Sequence, residues 1–127
     1  MFQGLHTVAQ GTIGAAIAIS ELAKRGYNVC IPLVDAQAYD LIVDDGLNLL
    51  KVQVKSSQSK SRKGEYVVQL KRVHHNKTGN VIRKFDSSKV DILVVACDDG
   101  GVYIIPSNEV KTTCSLTLGR GMDKWRV

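Results

Sequence analysis

The sequence predicts an α/β protein of the α+β type, with one N-terminal helix packed on a mixed, largely antiparallel sheet. An alanine-rich apolar segment comes first, and the later apolar runs are short, rich in β-branched residues and bounded by turn residues. A helix followed by successive strands is the element order of this class. The chain has 127 residues, so we expect a single domain over residues 1–127.

The predicted helix runs from Thr12 to about Arg25. Thr12 is a plausible N-cap after Gly11, the basic pair at the end suits the negative end of the helix dipole, and Gly26 ends the helix. Residues 1–10 carry no strong pattern, which predicts a mobile arm or an added turn. The helix is apolar over more than half its girth, so we expect it to pack against the sheet on one side and against another surface, such as a second subunit, on the other.

The strands follow the helix at regular intervals. Alternating residues and a Gly-containing turn over 74–80 predict a hairpin in the basic part of the chain. A near-continuous apolar run predicts a buried central strand at Val90–Ala96, and Ser107 is expected to cap a short helical turn. The predicted strands are Tyr27–Pro32, Tyr39–Val43, Leu49–Lys55, Glu65–Val73, Val81–Phe85, Val90–Ala96 and Val102–Pro106.

The charge distribution indicates a nucleic-acid partner. The formal net charge is +5, and residues 51–90 alone hold eleven basic and two acidic side chains. A local concentration of this kind is typical of a surface that binds phosphates. No apolar run is long enough for a membrane span, and no signal peptide is recognisable. Three widely spaced cysteines predict reduced core thiols, and we expect an intracellular, nucleoid-associated protein.

The segment Tyr39–Ser57 carries the side chains that could bind a metal ion or take part in catalysis. Asp-Gly between two β-branched runs predicts a tight hairpin. In the second strand, Gln53 and Lys55 share a face because side chains alternate with period two, and the hairpin can bring Asp40 beside them. A carboxylate beside a polar residue and a lysine suits a divalent metal and a catalytic cation. The alternative is the solvated face of an amphipathic strand.

The pattern of Gly11, Leu22, Gly26-Tyr27, Pro32, Tyr39-Asp40 and Val52-Gln53-Val54-Lys55 resembles the PD-(D/E)XK nucleases. It resembles in particular the branch of Holliday-junction resolvases and intron-associated homing endonucleases. The likeness covers Gly11 to Ser57 well, with Gln53 in place of the usual acidic residue. It implies a restriction-endonuclease-like core and a metal-dependent endonuclease that hydrolyses phosphodiester bonds in double-stranded DNA.

The resemblance also implies roles for individual residues. Asp40 would anchor Mg²⁺ or Mn²⁺, and the Gln53 amide oxygen and the Val54 carbonyl would add neutral ligands. Lys55 would orient or deprotonate the attacking water, or stabilise charge in the transition state.

One position departs from the family pattern. The family places a Glu on the first helix, four residues after the Gly that corresponds to Gly11, and here that position is Ala15. Glu21 does not replace it, because it lies roughly 240° further around the helix at about 100° per residue. Ala15 therefore predicts an impaired chain, either by an engineered inactivation or as a natural DNA-binding module without activity.

The DNA-binding prediction rests on the basic segment. His74, His75 and Asn76 are candidates for base contacts at the hairpin tip, because a two-stranded ribbon fits the major groove. A solvated tip is the alternative. Cutting both strands requires two sites, so we expect a homodimer or homotetramer. Homing-type cleavage ranks ahead of junction resolution, and an RNA-binding protein ranks last because aromatic residues are few. The candidate phosphate contacts are Lys60, Arg62, Lys63, Lys71, Arg72, Lys77, Arg83 and Lys84.

Overall fold

The computed structural model describes residues 1–34 and 36–127, and for residues 73–76 the backbone alone. Within this part of the chain, one α-helix precedes nine β-strands, and two short 3-10 helices lie near the C-terminal end. The elements are α1 (Thr7–Lys24), β1 (Asn28–Cys30), β2 (Leu41–Asp44), β3 (Leu49–Ser57), β4 (Val67–Gln69), β5 (Arg72–Asn76), β6 (Gly79–Arg83), β7 (Ile92–Cys97), β8 (Val102–Pro106) and β9 (Ser115–Thr117), with 3-10 helices at Ser107–Glu109 and Arg120–Trp125.

The main sheet has five strands in the order β1-β2-β3-β7-β8. Only the β3–β7 pair is parallel, and the other three pairs are antiparallel. The remaining strands form two small ribbons, β4 with β9 and β5 with β6. The predicted fold class, a helix on a mixed and largely antiparallel sheet, is therefore confirmed. The prediction of a buried internal strand is also confirmed, since all six residues of β7 are buried.

The helix is longer at its N-terminal end than predicted. It begins at Thr7 with His6 in the N-cap position, and the hydroxyl of Thr12 donates to the Val8 carbonyl one turn earlier. Thr12 is therefore an interior residue and not a cap. The prediction failed because the first turn is largely exposed and shows no apolar periodicity. Gly26 ends the helix as predicted, with a φ of +86° that favours glycine.

The residues before the helix are also ordered by packing. Phe2 is fully buried, and its backbone N–H donates to Asp98 Oδ1 at 2.5 Å. The expectation of a mobile arm was therefore wrong, because a single aromatic residue attaches this segment to the turn after β7.

Two hydrophobic cores lie on opposite faces of the sheet. The first is formed by Ala18 and Leu22 of α1 against β2, β3, β7 and β8. The second is larger and joins the other face of β7 and β8 to β4, β9 and the C-terminal segment. Since side chains alternate along a strand, neighbouring residues of β7 and of β8 belong to different cores.

The strand predicted at Glu65–Val73 is two strands. The backbone N–H groups of Leu70 and Lys71 both donate to the Cys114 carbonyl, at 2.8 and 3.2 Å, and this interrupts the ladder. β4 then pairs with β9, and β5 pairs with β6. Residues 74–76 belong to β5, so the predicted tip His74-His75-Asn76 was misplaced; the turn is formed by Lys77 and Thr78.

Several smaller expectations are corrected. Ser107 is the first residue of a 3-10 helix and makes no capping hydrogen bond, and its hydroxyl donates to the Ser87 carbonyl instead. All three cysteines are free, but only Cys97 is buried, while Cys30 is exposed on the outer strand. The outer side of α1 presents small exposed residues such as Ala16, Ser20 and Ala23, and the contact with a second subunit stays a prediction. Among the described residues, no helix combines the length and apolar character needed to cross a membrane.

Candidate active site

The β2–β3 hairpin places Asp40 against the middle of β3. Its turn is held by Asp45, whose Oδ1 accepts hydrogen bonds from the N–H groups of Leu47 and Asn48. Asp40 lies one residue before β2, and its N–H donates to the Val52 carbonyl at 2.8 Å. Its carboxylate Oδ2 accepts the Val54 N–H at 2.7 Å, so the side chain continues the ladder where the backbone pairing stops.

This arrangement also determines where the Val54 carbonyl points. In an extended strand, the N–H and C=O of one residue lie on the same side. Because the Val54 N–H faces Asp40, its carbonyl faces the same gap, beyond the end of β2. The carboxylate and this carbonyl are therefore neighbouring oxygen groups in the gap beyond the N-terminal end of β2.

Gln53 and Lys55 lie on the face of β3 that is turned away from the helix. In the parallel ladder Gln53 pairs with Leu93 and Lys55 with Val95, and both partners belong to the second core. Gln53 is only 8% exposed, and its Oε1 has no hydrogen-bond partner within the described part of the chain. A buried acceptor without a partner is costly for the fold, and such atoms are often sites of ligand contact.

Lys55 is partly buried on the same face. Burial and the nearby charge of Arg72 lower the pKa of Lys55, while the charge of Asp40 raises it. Among the described ion pairs none joins Asp40 to Lys55, so the two groups interact across a gap larger than a direct salt bridge. The hairpin thus places Asp40 beside Val54 and within electrostatic range of Lys55, and Gln53 lies on the same face of β3 as Lys55.

The helix approaches this strand through Gly14. A Cβ at this position would collide with the Ser56 hydroxyl, so glycine permits the close contact between α1 and β3. Ala15 is the next residue and carries only a methyl group. Glu21 lies near the other end of the helix, where it pairs with Arg25 at 2.9 Å and Lys24 at 3.4 Å. It supplies no carboxylate near Asp40, in agreement with the helical-angle argument.

A cleft of about 780 Å³ opens above Gln53. One wall is the segment 36–38, and the other is the base of the β5–β6 hairpin with the segment that follows it. Four exposed cations line this cleft, with Asp86 the one carboxylate among its described lining residues. The cations are Arg72, Arg83, Lys84 and Lys89.

The cleft separates the predicted phosphate contacts into two groups. Arg72 and Arg83 are partners in the hairpin register and lie in the cleft with Lys84. The others are exposed outside it: Lys60, Arg62 and Lys63 in the β3–β4 connection, Lys71 before β5, and Lys77 in the hairpin turn. The side chains of His74, His75 and Asn76 lie outside the described residues, so the base contacts predicted for them stay predictions.

Sequence reasoning missed two side-chain hydrogen-bond donors of the cleft. Lys89 lies beside the other cations, and Gln37 lies on the opposite wall. Lys89 belongs to the basic segment and could have been included with it. Gln37 had no sequence signal, because only the fold brings it to the same cleft as Arg72.

The oxygen atoms at this site suit a hard divalent cation in kind. The Asp40 carboxylate, the unpaired Gln53 Oε1 and the Val54 carbonyl are all oxygen donors, which Mg²⁺ and Mn²⁺ prefer. Only one of them carries a formal charge. No group of three or more His, Cys, Asp or Glu side chains with metal-binding geometry occurs among the described residues. The three oxygen donors therefore fit such an ion in chemical type, but a single carboxylate balances its double positive charge.

Comparisons with known proteins identify the fold and the family. A family model described as PD-(D/E)XK endonuclease matches residues 5–123. The structure of a bacterial homing endonuclease, I-Ssp6803I, superposes with a TM-score of 0.77 at 31% sequence identity, covering 90% of this chain and 78% of that one. No curated protein matches the sequence. The chain belongs to the PD-(D/E)XK endonuclease family, and its fold places it with the homing-type branch.

Proposed function

We propose that this chain is a metal-dependent DNA endonuclease of the site-specific, homing type, acting as a single nuclease-like domain over residues 1–127. The observation that carries the proposal is the grouping of Asp40, Gln53 and Lys55 beside a cleft lined by four cations. A structural role for Gln53 alone would leave its buried Oε1 without a reason.

Each residue would have a different role in hydrolysis. Asp40, Gln53 and the Val54 carbonyl would hold Mg²⁺ or Mn²⁺, which when bound polarises the phosphodiester and lowers the pKa of water. Asp40 is held in place by the Val54 N–H, so its orientation costs little at the moment of binding. Lys55 lies on the same face of β3 as Gln53 and would orient the attacking water or stabilise the charge that develops on the phosphate. Burial lowers the pKa of Lys55 below its usual value.

A DNA-binding module without activity is the second candidate. Ala15 provides no oxygen ligand where the family carries Glu, and Gln53 is neutral. Asp40 is then the one formal charge of the proposed metal ligands. Since carboxylates supply most of the affinity for Mg²⁺, the chain as written would bind the ion weakly and cut slowly or not at all.

Site specificity and assembly are two further parts of the proposal. The projecting β5–β6 ribbon has the shape that fits a major groove, and the similar solved structure is described as a homing endonuclease. Cutting both strands requires two centres, which a dimer or tetramer would supply. Exposed apolar side chains for such contacts are Ile31, Leu33 and Val34, and Ile31 lines a small pocket together with Asp40.

The experiment that tests the proposal is cleavage of a long DNA with Mg²⁺ by the chain as written and by Ala15→Glu. We expect the Glu variant to cut faster, by about tenfold or more, because a second carboxylate strengthens metal binding. Ala16→Glu is the matched control, since it adds the same charge at an exposed neighbouring position. Lys55→Ala in the Ala15→Glu background should abolish cleavage.

If neither chain cuts any DNA while both bind it with a steep salt dependence, the binding module is the correct description. Competition binding distinguishes the two nuclease types. We expect a duplex that contains the target to compete better than a four-way junction. A junction preferred over every duplex would identify a resolvase instead.

A further inference from the structure

We propose that Val81 is a specificity-determining residue that contacts the C5-methyl group of a thymine in the major groove. The inference rests on the proposed site-specific DNA function and deepens it. That function requires only that the β5–β6 ribbon lies in the groove, whereas the present inference states which side chain reads a base and which chemical group of the base it reads.

The first observation is the face of the ribbon on which Val81 lies. Side chains alternate along β6, so Val81 and Arg83 share one face and Ile82 lies on the other. Arg72 is directly opposite Arg83 in the hairpin register. Arg72, Val81 and Arg83 all line the cleft, and Ile82 does not. The ribbon therefore turns the face that carries Val81 towards the cleft.

The second observation is that Val81 is apolar and yet exposed. The other large apolar side chains of the cleft wall, Leu70, Phe85 and Val90, are buried in the second core. Val81 is 42% exposed and lies outside both cores. Among the described residues that line the cleft, it is therefore the one large apolar side chain that is open to a ligand.

The third observation is the charge around Val81, which indicates the kind of ligand. Arg72, Arg83 and Lys84 line the same cleft. No described carboxylate, that of Asp86 included, lies within salt-bridge distance of these cations. An apolar group among such cations suits DNA, because phosphates pair with the cations and the thymine methyl is the apolar group of the base edges in the major groove. A second copy docked through the same face would bring like charges together.

The spacing along β6 fits the depth of the groove. Residues two apart in a strand are separated by about 7 Å, and the major groove is about 8.5 Å deep. Arg83 lies at the base of the ribbon, and Val81 lies two residues closer to the tip. When Arg83 contacts a phosphate at the rim of the groove, Val81 therefore reaches the level of the base edges.

The test measures binding of the whole chain to duplex DNA in EDTA, so that no strand is cut. A preferred duplex is first selected from a pool with a random central region. Each of its thymines is then replaced in turn by uracil, which lacks only the C5-methyl group. We expect the replacement of one particular thymine to weaken binding about fourfold, which corresponds to the burial of one methyl group.

Variants of the ribbon assign that effect to Val81. Val81→Ala should bind the duplexes with thymine and with uracil at this position equally well. Val81→Thr keeps the shape of the side chain and replaces one methyl group by a hydroxyl, so it should preserve the ribbon and reduce the difference. Ile82→Ala is the matched control, because Ile82 is 58% exposed on the other face of the same strand, and it should keep the full difference.

Several results would overturn the proposal. One is a preferred duplex in which no thymine methyl affects binding by the unaltered chain. Another is a thymine–uracil difference that Val81→Ala and Val81→Thr leave intact, or that Ile82→Ala removes as well. Loss of self-association in Val81→Ala with that difference intact would identify the face as a subunit contact instead.

The outcomes also separate this inference from the function on which it rests. A preferred duplex without the methyl effect would contradict only the role of Val81. A pool that yields no preferred duplex would contradict the site-specific function, and the inference with it.

Discussion

The two faces of β3 are built in opposite ways. On the helix side, Val52 and Val54 pack against α1, and Val52 is completely buried among apolar neighbours. On the cleft side, Gln53 and Lys55 carry polar groups into a partly buried position, and one of these groups has no described hydrogen-bond partner. The residues alternate along a single strand, so the same backbone serves both arrangements.

This difference indicates that the helix side of β3 stabilises the fold and that the cleft side destabilises it. Packing of apolar side chains on the helix side stabilises the fold, and deleting atoms there leaves cavities. Polar atoms on the cleft side cost free energy in the isolated protein and are useful only when a ligand contacts them. Mutations on the two faces should therefore change stability in opposite directions.

The largest effect is expected for Leu22→Ala in α1. Leu22 is fully buried in the helix-side core, so the truncation should lower the free energy of unfolding by about 2–5 kcal/mol. Urea unfolding measures it, and Ser20→Ala at an exposed position of the same helix is the control, with a change within about 0.5 kcal/mol. A loss as small as in the control would mean that α1 is not packed on the sheet as described.

Gly14→Ala tests the contact between the helix and β3 more narrowly. The new Cβ would meet the Ser56 hydroxyl, so we expect a loss of about 1–3 kcal/mol despite the better helix propensity of alanine. Ser56→Ala removes the obstructing oxygen. The double variant should recover most of the loss, and strictly additive effects would show that this contact does not carry the cost.

Gln53→Leu should have the opposite sign. It removes an acceptor that lacks a partner and buries apolar atoms in its place, so we expect stability to be unchanged or to rise by about 1 kcal/mol. Metal-dependent cleavage in the Ala15→Glu background should be lost. Gln69→Leu on the exposed side of β4 is the control for the substitution itself. A clear destabilisation by Gln53→Leu would show that the buried amide stabilises the isolated fold.

The smallest effect concerns Lys55 and depends on pH. The pKa of Lys55 in the fold lies below its usual value of 10.5, so the unfolded chain binds more protons between the two values and stability rises with pH in that range. Below it, the cost of the buried charge is fully present. Lys55→Met should therefore stabilise the protein most at neutral pH, by about 1 kcal/mol, with the gain shrinking as pH approaches 10.5.

Urea unfolding of both chains at several pH values measures this dependence. Lys51→Met is the matched control, because Lys51 lies on the same strand and is exposed. A gain for Lys55→Met that is constant with pH would mean that burial of the ammonium is not its cause.

The sequence was sufficient for the elements that depend on local patterns. The hairpin around Asp45-Gly46 and the apolar strand β7 have signals that tertiary contacts only confirm. It was insufficient where distant residues decide the structure. The break at Leu70-Lys71 depends on the Cys114 carbonyl, and the order of residues 1–6 depends on Asp98. Neither contact leaves a periodic trace in the sequence.

The candidate site likewise contains residues that local sequence patterns predict and residues that only the fold brings together. Asp40, Gln53 and Lys55 follow from alternation and a tight turn, both of which are local. The cleft does not, because Arg72 reaches it only through the position of the β5–β6 hairpin, and Lys89 reaches it through the segment that leads into β7. Basic residues were therefore recognisable as a group, while their division between the cleft and the outer surface required the fold.

The parallel pairing of β3 with β7 has a consequence for how such a protein can change during evolution. A parallel pair requires a long crossover, and here the crossover from Ser57 to Ile92 contains most of the basic segment and the whole β5–β6 hairpin. The entropic cost of a longer connection grows only slowly with its length. Under the proposed function, insertions and substitutions in the crossover would alter which DNA is recognised without moving Asp40, Gln53 or Lys55.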